Sequence, residues 1–399
     1  MSFPPVAEQL ERIRRGTVDL VREEELAARL ERSRATDKPL RVKLGIDPTF
    51  RDVHLGHSVV LRKLRDFQDL GHQAVLILGD GTALVGDPTG RDATRPALTR
   101  DHIEENVKGY LEQISRIVDV ERAEVIRNGR WFHVMGFADV LRLLARGTVA
   151  RMIERDNFQE RIRGGKAIHL HELLYPLMQG WDSVMVRADV ELGGTDQLFN
   201  LMQGRQLQEE EGQPPQICVT TPLLEGLDGR KMSKSYGNHV GLTFDAKEVF
   251  GKTMSIPDAQ LRPWLTLLTR VAPAEIDALL APDRNPRDAK VELAKRLVAE
   301  LHGPEAAGRE AEAFSAQFSR GEVPVDMPTL ELAATTPNFP AVVAKAAGIS
   351  ASEVRRLMSQ RAVTIDGEPL TEPDEPVAAR DGATLKVGKR RWFRVRRKA

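Results

Sequence analysis

The chain has 399 residues, with 58 Lys or Arg against 58 Asp or Glu, a formal net charge of zero and one cysteine. That length implies two or three domains. Zero net charge excludes a global field for nucleic acid, so any basic surface must be local. A single cysteine excludes an intrachain disulfide and fits a reducing, cytoplasmic setting.

No apolar run approaches the roughly 18 residues of a membrane span, and the Glu/Arg-rich N-terminus lacks the apolar core of a secretory signal. In chain order, residues 6–34 read as one or two charged helices, with Val21, Leu26 and Leu30 marking a face. Leu40 to Ile46 reads as a buried strand and Ser58 to Leu70 as an amphipathic helix. Between them lies Gly45-Ile-Asp-Pro-Thr-Phe-Arg-Asp-Val-His-Leu-Gly-His57. His54 and His57 are three apart at the helix start, so they share a face. A helix start offers free N–H groups and the positive end of the dipole, a seat for phosphate. Gly56 there lets a flat base approach the backbone. Gln73 to Gly79 is a continuous apolar run, as in a strand covered on both faces. Strand, helix and strand within ~40 residues predict a right-handed βαβ unit that opens a nucleotide-binding, doubly wound parallel sheet. Asp80 follows at the carboxyl end of that second strand.

Residues 81–98, including Gly86-Asp-Pro-Thr-Gly90, form a long loop of the kind that is functional or an interface. Helices are expected over 100–118, Phe137 to Leu144 and 148–163, with a short strand from Glu124 to Arg127. Leu170 to Asp182 reads as a helix crossing the core. It places Tyr175, Gln179 and Asp182 on one face, a polar stripe that needs partners if buried. Val184 to Val186 reads as the next strand, and Glu191-Leu-Gly-Gly-Thr-Asp-Gln197 as a Gly-rich turn into a helix ending at Glu209. Gln216 to Thr221 is the last strand of the sheet, with Cys218 in its core. Asp228-Gly-Arg-Lys-Met-Ser-Lys-Ser235 is a polar loop with cations at Arg230, Lys231 and Lys234, suited to a transient polyphosphate charge.

Residues 245–318 read as helices punctuated by proline, and no strand is expected after Gly241 until about residue 362. The segment 321–338 reads as a linker and 339–399 as a small separate domain. There, helices Pro340 to Ala347 and Ser352 to Gln360 precede strands Val363 to Asp366, Thr384 to Val387 and Trp392 to Val395. Between Lys386 and Lys398 lie eight Lys or Arg and no acid. That patch, with Arg355, Arg356, Arg361, Lys389, Arg390 and Arg391, suits phosphates of RNA.

His-Leu-Gly-His upstream of Lys-Met-Ser-Lys-Ser resembles the paired signatures of class I aminoacyl-tRNA synthetases. Leu174-Tyr-Pro-Leu-Met-Gln-Gly-Trp-Asp182 with Gly193-Gly-Thr-Asp-Gln197 is similar to the bacterial tyrosyl branch. The spellings of both signatures and the tail, which resembles the S4 RNA-binding domain, match its second subgroup. The resemblance implies an α/β fold in which a Rossmann-like catalytic domain (1–242, with a connective and dimer region near 81–165) is followed by an all-helical anticodon-recognition domain (243–320) and a small α+β S4-like domain.

The resemblance also implies roles. Thr49, His54, His57, Lys231 and Lys234 act on the ATP phosphates and adenosine. Gly45, Asp47, Gly56, Gly193, Gly194, Asp196, Met232, Ser233 and Lys234 contact ATP. Asp80, Tyr175, Gln179, Asp182 and Gln197 hold tyrosine, with Asp182 on the phenol. Magnesium is carried by the nucleotide and no protein-held metal is expected. The implied partners are tyrosine, ATP, tRNA and a second copy of the chain, paired through the Asp80 to Leu98 loop and the helices after it. This chain departs from the better-known branch at Lys43, where a tyrosine makes a second phenol contact, and at Glu191, where a glutamine stands; no role is assigned to Lys43. Two alternatives remain at this point: a catalytically inactive, RNA-binding relative, and a tryptophan enzyme of the same fold.

Overall fold

Strands of two to six residues build the central sheet. The computed structural model describes residues 3–48, 52–88, 100–319, 327–333, 336–373, 377, 380–388 and 391–398. They fall into two units, Met1–Gly308 and Arg309–Ala399. The first holds six strands: β1 (Leu20–Val21), β2 (Arg41–Ile46), β3 (Gln73–Leu78), β4 (Glu124–Arg127), β5 (Val190–Gly194) and β6 (Ile217–Thr221), in the order β1-β6-β5-β2-β3-β4. β6, β5, β2, β3 and β4 run parallel. Ala74 to Leu78 of β3 are almost completely buried, as covering on both faces requires. The chain winds outward from β2 through β3 to β4, then returns to place β5 on the other side of β2. The carboxyl ends of β2 and β5 therefore frame the switch point where doubly wound folds bind ligands.

Several expectations need correction. Residues 6–34 hold two helices, Val6–Arg14 and Glu23–Thr36, but also β1, which pairs antiparallel with β6, Leu20 opposite Val219. Val184 to Val186 is not a strand. It is the last turn of the helix Tyr175–Val186, which stops where Arg187 turns left-handed at φ 49°. Val184 and Val186 pack in two apolar clusters on that helix, with Leu177 and Leu207 and with Val75 and Trp131 respectively; this packing overrides their β preference. Gly193 and Gly194 close strand β5, and the turn follows at Thr195–Gln197 before the helix Leu198–Glu210. The span 148–163 is two short helices, Val149–Met152 and Asp156–Arg163.

After β6, helices Ala246–Met254, Leu261–Leu268, Pro273–Leu279, Pro286–His302 and Pro304–Ser319 follow. Proline opens Pro273–Leu279 and Pro286–His302 at their first positions, where its missing N–H costs nothing. Trp264, Phe250, Leu293 and Leu297 are buried among them.

The second unit carries the sheet β7-β11-β10-β8-β9, from β7 (Thr329–Leu332), β8 (Val363–Ile365), β9 (Glu368–Pro369), β10 (Thr384–Val387) and β11 (Arg391–Arg397). β7 lies inside the segment read as a linker, 321–338, and pairs parallel with β11, Val395 opposite Leu330. Its alternating burial, Leu330 and Leu332 in and Thr329 and Glu331 out, is a four-residue signal too short to stand out among prolines. Helices Phe339–Ala347 and Ala351–Ser359 cover the sheet through Phe339, Val343, Val354 and Met358.

Candidate active site

A cavity of about 260 Å³ opens at the carboxyl ends of β2 and β5. Of the residues singled out in the sequence, Gly45, Asp47, Gly193, Gly194, Tyr175, Gln179, Asp182, Gln197 and His57 line it; so do Asp52, Thr82, Asp87 and Asn128. The helix Tyr175–Val186 supplies one wall, because Tyr175, Gln179 and Asp182 recur on a single face.

The polar stripe finds the partners its burial requires. Asp182 is 3% exposed. Its Oδ1 accepts from the indole N–H of Trp131 at 2.9 Å and its Oδ2 from Asn128 Nδ2 at 3.1 Å. Burial pushes its carboxyl up to about 7, against the pull of Lys43. The Tyr175 hydroxyl donates to Asp47 Oδ2 at 2.9 Å; burial first, and the Asp47 carboxylate second, hold that phenol well above its ordinary range. The Thr82 hydroxyl donates to Asp47 Oδ1 at 2.7 Å. That approach needs a glycine: a Cβ on Gly79 would stand 2.0 Å from Asp47 Oδ1.

Asp80 does not line the cavity. Its Oδ1 accepts from the backbone N–H of Gly129 at 2.6 Å and of Gly81 at 3.0 Å, so it ties β3 to the start of the helix Gly129–Phe132. The carboxylate that reaches the cavity is Asp87, seven residues on. Its Oδ2 accepts from Gln197 Nε2 at 2.9 Å, and Arg155 pairs with its Oδ1 at 3.1 Å. Both acids follow a glycine. The signal that separates them is Gly86-Asp-Pro, noted in the sequence only as loop. Asn128, Trp131, Thr82 and Asp52 were likewise missed, since they are brought in by three separate segments: the end of β4, the turn after β3 and the loop after β2.

At the other end of the cavity, His54 caps the helix Leu55–Asp69 and its ring stacks on His57, 3.7 Å between centroids and 20° apart. His57 Nδ1 accepts from the His54 N–H at 3.3 Å. Burial lowers the His54 ring to about 2 and the His57 ring to about 4, so both are neutral hydrogen-bonding groups near pH 7. A Cβ on Gly56 would meet the His54 ring at 2.9 Å, and its N–H points at Met232 Sδ at 3.2 Å. Met232 is buried, and Ser233 donates its N–H to Asn238 at 2.8 Å. The two lysines reach back over the opening: Lys231 pairs with Asp196 at 2.9 Å and Lys234 with Asp52 at 2.6 Å. Thr49 lies outside the described residues, as do Lys389 and Arg390. In the second unit Arg355, Arg356, Arg361 and Arg391 are exposed; Arg356 is held by Glu353, and Lys386 lies over the Trp392 ring.

The arrangement is a cleft with a buried acceptor at one end and neutral imidazoles with ion-paired ammonium groups at the other. Residues 35–319 match the family of class I tRNA synthetases for tryptophan and tyrosine. A tyrosine–tRNA ligase of Symbiobacterium thermophilum is 52% identical over 99% of both chains, and one of Moorella thermoacetica 48% identical over 98% of this chain and 96% of its own. Among solved structures, the tyrosyl-tRNA synthetase of Archaeoglobus fulgidus, complexed with L-tyrosine, is 25% identical with a TM-score of 0.61, covering 77% of this chain and all of its own. The C-terminally truncated mitochondrial enzyme of Aspergillus nidulans, at 24% identity and TM-score 0.62 over 78% of this chain and 94% of its own, shares the fold. The cleft and sheet thus define a class I aminoacyl-tRNA synthetase. Within that class, the chain belongs to the bacterial tyrosyl-tRNA synthetase family.

Proposed function

We propose that the chain is a tyrosine–tRNA ligase that works in two steps at this one cleft: adenylate formation from tyrosine and ATP with release of pyrophosphate, then transfer of tyrosine to the terminal ribose of tRNA. The observation that carries the reading is Asp182, a buried acceptor at the cavity's end already fixed by two donors. A phenol reaching that end donates its O–H to the carboxylate, whereas phenylalanine leaves a buried charge short of a partner, a penalty of about 1–3 kcal/mol or more. Tyr175, Gln179, Gln197 and Asp87 surround the place for the ammonium and carboxylate of the amino acid. Asp196 and the Gly193–Gly194 backbone suit a ribose.

The substrate carboxylate is itself the nucleophile, so no general base is required. It attacks the α-phosphorus, and the bond to pyrophosphate breaks. The residues supply position and charge. His54 and His57, neutral and stacked, donate to phosphate oxygens without repelling the two lysines. Lys231 and Lys234 exchange their carboxylate partners for the β- and γ-phosphates as charge moves to the leaving group. Magnesium fits as the nucleotide's counterion, since Asp52 and Asp196 at that end are paired with lysines; it would help neutralise the phosphates.

The S4-like unit is the tRNA-binding element in this reading, through Arg355, Arg361, Arg391 and the basic run around them. The chain pairs with a second copy through the helix Phe137–Leu144 and its surroundings. Support comes from Val134 and Phe137, 78% and 79% exposed, and from exposed Leu141 and Leu144; Phe137, Leu141 and Leu144 recur on one face of that helix. No helix among the described residues is long and apolar enough to cross a membrane, and the chain works in the cytoplasm. Tyrosine-dependent ATP–pyrophosphate exchange, with tryptophan and phenylalanine as controls, tests the reading. Exchange with tyrosine alone supports it. Exchange with tryptophan moves the substrate, and no exchange with any leaves an RNA-binding relative without catalysis.

A further inference from the structure

Lys43 and Glu191 are both completely buried. They face each other across β2 and β5, register partners in the sheet beneath the cavity. Lys43 Nζ donates to Glu191 Oε1 at 2.9 Å, to Ser183 Oγ at 2.8 Å and to the carbonyl of Gln179 at 2.7 Å. Three ammonium protons thus meet three acceptors. Glu191 in turn accepts from Gln179 Nε2, the Ser183 hydroxyl and Gln216 Nε2. The groups so gripped, Gln179 and Ser183, bracket Asp182 on its helix. A buried ion pair adds little stability over apolar side chains of equal volume, so its place under this one turn calls for a role in the site.

We propose that Lys43 is a positioning residue for substrate selection: the buried cation beneath the Asp182 turn, held in place by Glu191, which keeps Asp182 as an acceptor-only carboxylate aimed at the substrate hydroxyl. The inference rests on the reading of Asp182 as the phenol's acceptor. The charged groups acting on Asp182 are Lys43 from β2 and Glu191 from β5; Tyr175 on its own helix meets Asp182 and also Asp47 and Asp87, which line the same cavity. Arg155 is turned to Asp87. Lys43 favours the charged form of Asp182 and Glu191 disfavours it, while burial alone would neutralise it.

The test is the pH dependence of the tyrosine KM in ATP–pyrophosphate exchange, from about pH 6 to 8.5, in the full chain. In the parent, tyrosine KM rises as pH falls through the Asp182 midpoint, and Asp182→Asn abolishes that dependence. The double variant Lys43→Met, Glu191→Met keeps volume and removes both charges. Its midpoint moves up by about one pH unit, so tyrosine KM rises about fivefold at pH 7 and close to tenfold near pH 6, recovers at the alkaline end, and leaves the KM for ATP unchanged. Glu191→Gln keeps the cation and moves the midpoint the other way, which provides the test should the double variant fail to fold. A packing change cannot shift the midpoint in opposite directions. Midpoints that stay fixed in the variants overturn the proposal. A parent profile that survives Asp182→Asn instead overturns the reading of Asp182 itself.

Discussion

Trp131 and Asp182 are joined by an indole N–H donated to Oδ1 at 2.9 Å, although they stand on different sides of the sheet's connectivity. Trp131 belongs to the short helix after β4, and Asp182 to the long helix before β5. The cleft's deepest acceptor is thus aimed by the strand farthest from the switch point on that side. Replacing Asp182 with Ala leaves the buried Trp131 indole N–H without its acceptor and Asn128 with only Thr82, so it costs stability as well as selectivity. Asp182→Asn is the gentler probe. Loss of the phenol's charge-assisted hydrogen bond raises kcat/KM discrimination costs by about 1.5–3 kcal/mol, on the order of 10- to 150-fold less preference for tyrosine over phenylalanine. Unchanged discrimination in exchange assays would count against Asp182.

Acid affects the stability of this site in two opposed ways. The His57 ring is depressed to about 4 by burial and by the two lysines. Below its ordinary value of 6.5 the unfolded chain takes up a proton that the folded chain refuses, so stability drops as pH falls from about 6.5 to 4. Asp182, raised to about 7, binds its proton more readily folded than unfolded. Its contribution is present below the ordinary 3.8 and is lost as pH rises through about 7. Thermal unfolding of His57→Asn against the parent separates them: the variant is expected to show a shallower loss of stability between pH 6.5 and 4. An identical acid limb in both proteins would show that His57 is not the group responsible.

The lysine loop is held by exposed ion pairs, and such pairs contribute about 0–1 kcal/mol. ATP phosphates can therefore displace Asp196 and Asp52 easily. Asp52→Asn is expected to change the KM for ATP by no more than a few-fold. Lys234→Ala, which removes a cation that meets developing charge, is expected to lower kcat of exchange by on the order of 10²–10³. Equal effects from the two substitutions would mean that the Lys234–Asp52 pair, not the ammonium's contact with phosphate, is what matters.

Ending the chain at Ser319 removes the second sheet whole. Ending it at residue 338 would strand β7, whose parallel partner is β11. The Ser319 truncation is expected to retain exchange with tyrosine and to lose most tRNA charging, with the intact chain's charging weakened by added salt. Undiminished charging by the truncated protein would remove the second unit from tRNA binding.

Phe137→Asp with Leu141→Asp places charge on the exposed apolar helix. Sedimentation is expected to give two copies for the parent and one for the variant. A parent that sediments as a single chain would refute pairing.

The sequence revealed those parts whose signal is local. The run Gln73 to Gly79, the helix cap at His54 and the stripe Tyr175, Gln179, Asp182 each carry their own period, and the structure brings His57 and the stripe to one cavity. What stayed hidden depends on long-range packing. A two-residue strand such as β1 has no period to detect. Val184 and Val186 look like strand residues but follow their helix. Asp80 and Asp87 each follow a glycine in the same loop; the turn Thr82–Leu84 between them decides which one returns to the cavity. Lys43 on an apolar strand gives no hint of Glu191, which stands 148 residues later.

β1 pairs with β6 across a separation in which Asp19 and Thr220 are 201 residues apart. On a ribosome, the segment that seals this edge emerges about 200 residues before its mate appears. Until then Leu20 and Val21 have no ladder, and wherever they fail to reach β6 its outer edge is open to a foreign strand. A bulky fusion placed just ahead of Val6 would therefore be felt as poor yield and aggregation during synthesis, well before it registered as any change in the finished enzyme.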